Sequence, residues 1–165
     1  MKAIEAVENK LYSLEKLLTQ VAAWKIKGKT IAFTNGCFDI LHEGHIASLS
    51  AAAKEADYLI VGLNSDASVK QLKGDARPIN NEQSRAIILQ NLVVVDAVVI
   101  FTEQTPLTLI SAILPDVLVK GGDYTTEQIV GAKEVIAAGG RVVINPIVEG
   151  FSTTGTIEQI KAHFS

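Results

Sequence analysis

Cysteine is nearly absent from this chain, and the lone Cys37 rules out an internal disulfide while fitting a reducing cytoplasm. An excess of positive charge is also missing: 15 lysines and arginines against 18 acids leave a formal net charge of −3. Nucleic acid and anionic membranes call for a basic face, so neither is expected as a partner. No apolar run is long enough to span a bilayer, and the start, Met1-Lys2-Ala3-Ile4-Glu5, lacks the apolar stretch of a signal peptide. Histidine is scarce as well. His42, His45, His163 and Cys37 do not make a set of three ligands around one catalytic zinc, so no metal ligand is assigned. Two nucleotide motifs are missing. No Gly-x-Gly-x-x-Gly follows the first strand, and Gly28-Lys29-Thr30, which looks like the end of a Walker A loop, has Ala23 where the first glycine belongs and precedes the strand. Repeats and low-complexity stretches are absent.

What is present fits one domain: 165 residues, 48% hydrophobic and 20% charged. Ile4, Val7, Leu11, Leu14, Leu18 and Val21 fall at helical spacing, predicting a helix over residues 3–23. The division is therefore an N-terminal amphipathic helix, 1–27, and a second unit, 28–165. A packing role is the default for that helix and a dimer contact the lesser reading; a homo-oligomer, in the simplest case a dimer, is expected. Beyond it, strands at 30–34, 58–63, 97–101, 117–120 and 141–145 alternate with helices at 44–56, 81–92, 105–115, 125–138 and 154–163, with a polar loop over 64–80. Asn80 with Gln83 makes a capping box for the second of these helices. The alternation predicts an α/β, Rossmann-like fold: a five-stranded parallel sheet with helices on both faces and ligands at its carboxyl edge.

One stretch carries the chemistry: Phe33-Thr34-Asn35-Gly36-Cys37-Phe38-Asp39-Ile40-Leu41-His42-Glu43-Gly44-His45. An apolar strand here runs through a glycine turn into a helix start, where free N–H groups and the helix dipole attract an anion. Gly44 keeps the approach clear, and two imidazoles beside it can donate to phosphoryl oxygens as charge builds up. Lys70, Lys73, Arg77 and Arg85 supply local positive charge. Ser152, Thr153 and Thr154 precede the last helix, where a hydroxyl serves a cap or a phosphate equally well. Asp39 either orients a histidine, positions Mg²⁺ through water, or closes an Asx turn. Cys37 reads as a small apolar filler.

These residues resemble the signature of the nucleotidyltransferase superfamily that includes the cytidylyltransferases, whose His-x-Gly-His is met by His42 to His45. Asn64-Ser65-Asp66, the loop Lys73 to Asn80, Leu118-Val119-Lys120-Gly121-Gly122-Asp123-Tyr124 and Ser152-Thr153-Thr154 extend the likeness over about residues 31–160. They are most similar to the heptose 1-phosphate adenylyltransferase branch. The resemblance implies Mg²⁺-dependent, cytoplasmic transfer of AMP from ATP to a sugar 1-phosphate for lipopolysaccharide synthesis, with His42, His45, Lys73 and Arg77 catalytic. It further implies nucleotide contacts from Asn35, Gly36, Phe38, Asp39, Gly44, Lys120, Gly121, Gly122, Asp123, Ser152, Thr153 and Thr154, and sugar-side contacts from Asn64, Asp66 and Arg85. A sugar kinase, fused in some members, is expected here on a separate protein. A cytidylyltransferase acting on glycerol 3-phosphate, and a nucleotide sensor without turnover, stay open, because residue chemistry alone does not choose adenine over cytosine.

Overall fold

A computed structural model describes residues 10–146 and 150–164. The chain forms strands β1 (Leu11–Tyr12), β2 (Ile31–Gly36), β3 (Tyr58–Asn64), β4 (Ala97–Phe101), β5 (Val117–Gly121) and β6 (Arg141–Asn145). The helices are α1 (Leu14–Ile26), α2 (Glu43–Ala53), α3 (Asp66–Lys73), α4 (Glu82–Gln90), α5 (Leu107–Ile113), α6 (Ala132–Ala137) and α7 (Thr153–Phe164), with a 3₁₀ turn at Thr126–Gln128. The strands make one sheet in the order β1-β4-β3-β2-β5-β6, and every pair is parallel.

The sheet has six strands among the described residues, not the five expected. The extra one, Leu11–Tyr12, pairs with Val98 and Val99 of β4. Two residues are too few for a period-2 pattern to emerge, and Leu11 falls in step with the helical stripe. Ser13 then caps α1 by accepting from the Lys16 N–H, so this helix begins at Leu14 and runs to Ile26. Residues 3–9 of the expected helix lie outside the described residues. Leu17, Val21 and Trp24 of α1 are buried with Ile31 and Phe33 of β2, and Trp24 stacks on Tyr58 at 4.1 Å.

The sheet is covered on both sides, which is why its strands read as unbroken apolar runs. On one face α1, α5 and α6 pack over Phe33, Ile60, Val99 and Leu118; on the other α2 and α4 pack over Ala32, Leu59, Val61, Val98 and Val119. Two further expectations change. The loop over 64–80 contains α3, started by Ser65 accepting from Ser68 and ended at Gly74, whose φ is +91°. The helix expected over 125–138 breaks at Gly131, which adopts φ +86° with Ile110 packed so close that a Cβ would lie 2.7 Å from it. The capping residue of α4 is Asn81, one place after the expected Asn80.

This order places the reversal of strand direction of travel between β2 and β5. The chain winds outward through β3 and β4, then returns to lay β5 and β6 on the other side of β2. The carboxyl ends of β2 and β5 splay apart there, and the crevice between them is where doubly wound sheets bind ligands.

Candidate active site

The crevice is formed by the loops after β2, β3, β4 and β5 together with the start of α7. One chamber of about 350 Å³ is lined by Phe38, Asp39, His42, His45, Lys73, Arg77 and Ser152 to Thr154. A second, of about 390 Å³, is lined by Asn35, Gly36, Asn64, Lys73, Gln104, Lys120, Tyr124 and Gln128. Cys37 and Lys73 border both. A slot of about 190 Å³ past Asn35, Phe38, His45 and Lys120 runs between them.

The histidines define the first chamber. His42 is the N-cap residue of α2 with an extended backbone (φ −142°, ψ 172°), and it makes no side-chain cap, which leaves its ring available. The His42 and His45 rings stack with centroids 3.8 Å apart, and Phe38 closes on His45 at 5.3 Å. Both Nδ1 atoms are buried without a partner, so Nε2 is the face each imidazole turns to a ligand. Burial holds His42 below the ordinary histidine value. His45 is held down to about 4 by burial and then by its neighbour His42. At neutral pH His45 is therefore uncharged. Gly44 fits closely: a Cβ there would stand 3.1 Å from His42 Nδ1 and 3.3 Å from the Cβ of Phe151, so a larger residue would press on the His42 ring. Phe38 pays for the tight turn with a φ of +45°, a conformation rare for a bulky residue and concentrated at functional loops.

Asp39 neither orients a histidine nor closes a turn on itself. Its carboxylate accepts from Arg77 Nε at 2.6 Å and from the Ile79 and Asn80 N–H groups at 2.9 Å each, while Asn80 Nδ2 donates back to the Asp39 carbonyl. Burial alone would push this carboxyl up, but the Asn80 and Ile79 amides and Arg77 outweigh it and hold it low. The effect is a clamp: the β2 exit loop is tied to residues 77–80, and Arg77 is pinned through Nε with its terminal nitrogens left for the chamber. Among the described residues Asp39 is the one carboxylate lining this chamber, and both its oxygens are engaged. Among the described residues no group of three or more histidine, cysteine or acidic side chains could hold a metal ion.

The remaining expected residues divide. Ser152 to Thr154 reach the first chamber; Ser152 Oγ caps α7 by accepting from Gly155, and Thr153 Oγ1 donates to the Ile40 carbonyl. Lys73 is exposed between the chambers. Lys120, expected beside Gly121 to Asp123 on the base, lines the second chamber and the slot, its Nζ 5.9 Å above the Tyr124 ring. Burial lowers its pKa. Gly122 donates to the Asn145 carbonyl at 3.1 Å, and neither it nor the exposed Asp123 lines a chamber. Asn64 lines the second chamber. Arg85 does not reach either one. It is fully buried, donating to the carbonyls of Cys37 and Asn80 and to Asp66 Oδ1 at 2.8 Å, so Arg85 and Asp66 form an internal brace beneath the loop. The same brace sits beside Cys37, whose thiol is pushed up by burial, as befits a filler.

Sequence reasoning missed Gln104, Gln128 and Phe151 as lining residues and named Tyr124 only as the end of the Lys120–Tyr124 stretch. Gln128 left a trace of its own, as the fourth residue of a Thr-x-x-Gln capping box that begins at Thr125.

A parallel sheet with a switch point, a His-x-Gly-His helix start and a hydroxyl-bearing helix start facing it define a nucleotidyltransferase. The chain belongs to the cytidylyltransferase-like family, which matches residues 33–159. It is 58% identical over 142 residues to the bifunctional protein HldE of Mesorhizobium japonicum and 52% identical over 161 residues to that of a Bradyrhizobium strain, covering 86% and 97% of this chain. The chain spans about a third of the length of these curated relatives, 29% and 33%. Among solved structures it resembles the lipopolysaccharide core biosynthesis protein of Thermoplasma volcanium, with 30% identity, a TM-score of 0.58, and coverage of 73% of this chain and 98% of that one. The pantoate-beta-alanine ligase of Francisella tularensis shares the fold alone, at 15% identity and a TM-score of 0.61, over 88% of this chain and 69% of that one. No described helix is long and apolar enough to cross a membrane.

Proposed function

We propose that this protein transfers AMP from ATP to a heptose 1-phosphate, giving ADP-heptose and pyrophosphate for lipopolysaccharide synthesis. The observation that carries this reading is the pair of chambers meeting at the His45 slot, one basic and hydroxyl-lined for a polyphosphate, the other amide-lined for the acceptor. Similarity to HldE proteins over nearly the whole chain supports the choice of substrate.

A sugar phosphate is already a nucleophile, so no covalent protein intermediate is needed. A non-bridging oxygen of the acceptor attacks the α-phosphorus, the bond to the α,β-bridging oxygen breaks, and pyrophosphate departs into the phosphate chamber. His42 and His45 donate from Nε2 to oxygens gaining charge, and the free N–H groups of the first turn of α2 add to that field. Arg77, pinned by Asp39, and the start of α7 hold the β- and γ-phosphates. Mg²⁺ would enter with ATP and would supply charge neutralisation on its phosphates, with no described residue assigned to hold it. ATP as substrate and a lone unpaired cysteine support a cytoplasmic setting, with a sugar kinase supplying the acceptor.

The test is a pyrophosphate-release screen of ATP and CTP against heptose 1-phosphate and glycerol 3-phosphate. ATP with heptose 1-phosphate should be the best pair. Equal or better turnover with CTP and glycerol 3-phosphate would reassign the substrates to the cytidylyltransferase branch, and nucleotide binding with no turnover at all would make the protein a sensor.

A further inference from the structure

The second chamber contains two amide side chains whose orientation is set by the protein. Asn64 is 3% exposed, and its Nδ2 donates to Ser68 Oγ at 2.9 Å. Ser68 Oγ spends its own hydrogen on the Glu103 carbonyl at 3.1 Å, so towards Asn64 it can only accept. That forces Asn64 to present Oδ1, an acceptor, as its one unused atom. Gln128 is fixed the opposite way. Its Oε1 accepts the Thr125 N–H at 2.8 Å in the capping box, so Nε2, a donor, is the part left for the chamber that Gln128 borders. Lys120 stands at the inner end, where the chamber opens to the slot, and no described carboxylate pairs with it.

A fixed acceptor and a fixed donor in one cavity, with an unpaired cation at its inner end, complement a molecule that carries hydroxyls at one end and an anionic group at the other. A hydroxyl both donates and accepts, so a polyol satisfies Asn64 and Gln128 together. We infer that Gln128 is a specificity-determining residue that reads an acceptor hydroxyl through Nε2, with Asn64 Oδ1 reading another and the acceptor phosphate lying towards Lys120. This rests on the acceptor being a sugar phosphate, as proposed above.

Gln128→Glu separates this role from a structural one. A carboxylate keeps the oxygen that caps Thr125, but it replaces the chamber's donor with an acceptor opposite a hydroxyl held to accept, and its negative charge opposes the acceptor phosphate lying towards Lys120. Pyrophosphate release by the full chain is measured with ATP saturating and heptose 1-phosphate varied, then the reverse, alongside a thermal melt. The expected result is a KM for heptose 1-phosphate raised about tenfold or more, the scale of one lost hydrogen bond, with the KM for ATP within about twofold. Gln128→Leu should raise the same KM and also lower the melting temperature, because it removes the cap. An unchanged acceptor KM in Gln128→Glu, or an equal rise in both KM values, overturns the inference. Wild-type protein that turns over no sugar 1-phosphate overturns the proposed function, and the inference with it; wild-type turnover with indifferent variants overturns the inference alone.

Discussion

Replacing Asp39 with asparagine should unlock the chamber that holds the two histidines and cost more stability than any change to the histidines. The carboxylate is fully buried and receives three donors: Arg77 Nε at 2.6 Å and the Ile79 and Asn80 amides at 2.9 Å. An amide keeps one acceptor oxygen, turns an NH₂ towards donors, and leaves the Arg77 charge, 13% exposed, without its partner. Removing one member of such a buried pair costs about 3–5 kcal/mol. With a urea m value near 2 kcal/mol/M, that lowers the unfolding midpoint by roughly 2 M. The pH dependence fixes the cause. Because the folded carboxyl is held below its unfolded value, its stabilisation is present above about pH 4, the unfolded range, and is lost as pH falls through the folded value. The gap between wild type and Asp39→Asn should therefore be widest near pH 7 and close in acid. Urea unfolding at pH 7 and pH 3 tests this. A gap below about 1 kcal/mol at pH 7, or one that persists unchanged at pH 3, would refute the clamp.

Three other outcomes follow from the same geometry. Gly44→Ala should fold, since alanine favours a helix, yet its Cβ 3.1 Å from His42 must displace that ring, and turnover should drop about tenfold or more; wild-type turnover would show that the ring gives way freely. Arg77→Ala should raise the KM for ATP through lost charge-assisted bonds worth roughly 1.5–3 kcal/mol, and should also lower the melting temperature because Asp39 loses its cation; unchanged kinetics across salt would return Arg77 to a purely structural part. Bound polyphosphate favours a protonated His45, whose free value is about 4, so ATP binding should take up a proton and tighten as pH falls towards that value. Calorimetry in two buffers checks it, and equal proton uptake by wild type and His45→Ala would contradict it.

Much of the sheet was legible because its strands, buried on both faces, announce themselves as apolar runs between turn residues. Strand 97–101 and strand 141–145 fell where expected. The strand at Leu11–Tyr12 was not, since two residues carry no period and Leu11 belongs to both patterns. Helix α3 was hidden in a polar segment with only Val69 buried among hydrophobics, and the break at Gly131 depends on Ile110, a residue far away in sequence. The grouping of residues in the histidine chamber was readable for a local reason: its histidines, glycine and strand exit are neighbours in the chain. The second chamber was readable only in part: Asn35, Asn64 and Lys120 were named from their segments, whereas Gln104 and Gln128 join them only through the fold, and Arg85 looked like a ligand contact until the fold closed its guanidinium over Cys37 and Asp66.

The proposed chemistry turns on His45 stabilising charge that develops on the α-phosphate. Single-turnover rate and ATP affinity, measured together on His45→Ala with circular dichroism to verify the fold, test it most directly. The rate should fall about 10²–10³-fold, as for loss of one preorganised donor, while ATP affinity falls far less. An unchanged single-turnover rate in a folded variant would contradict it.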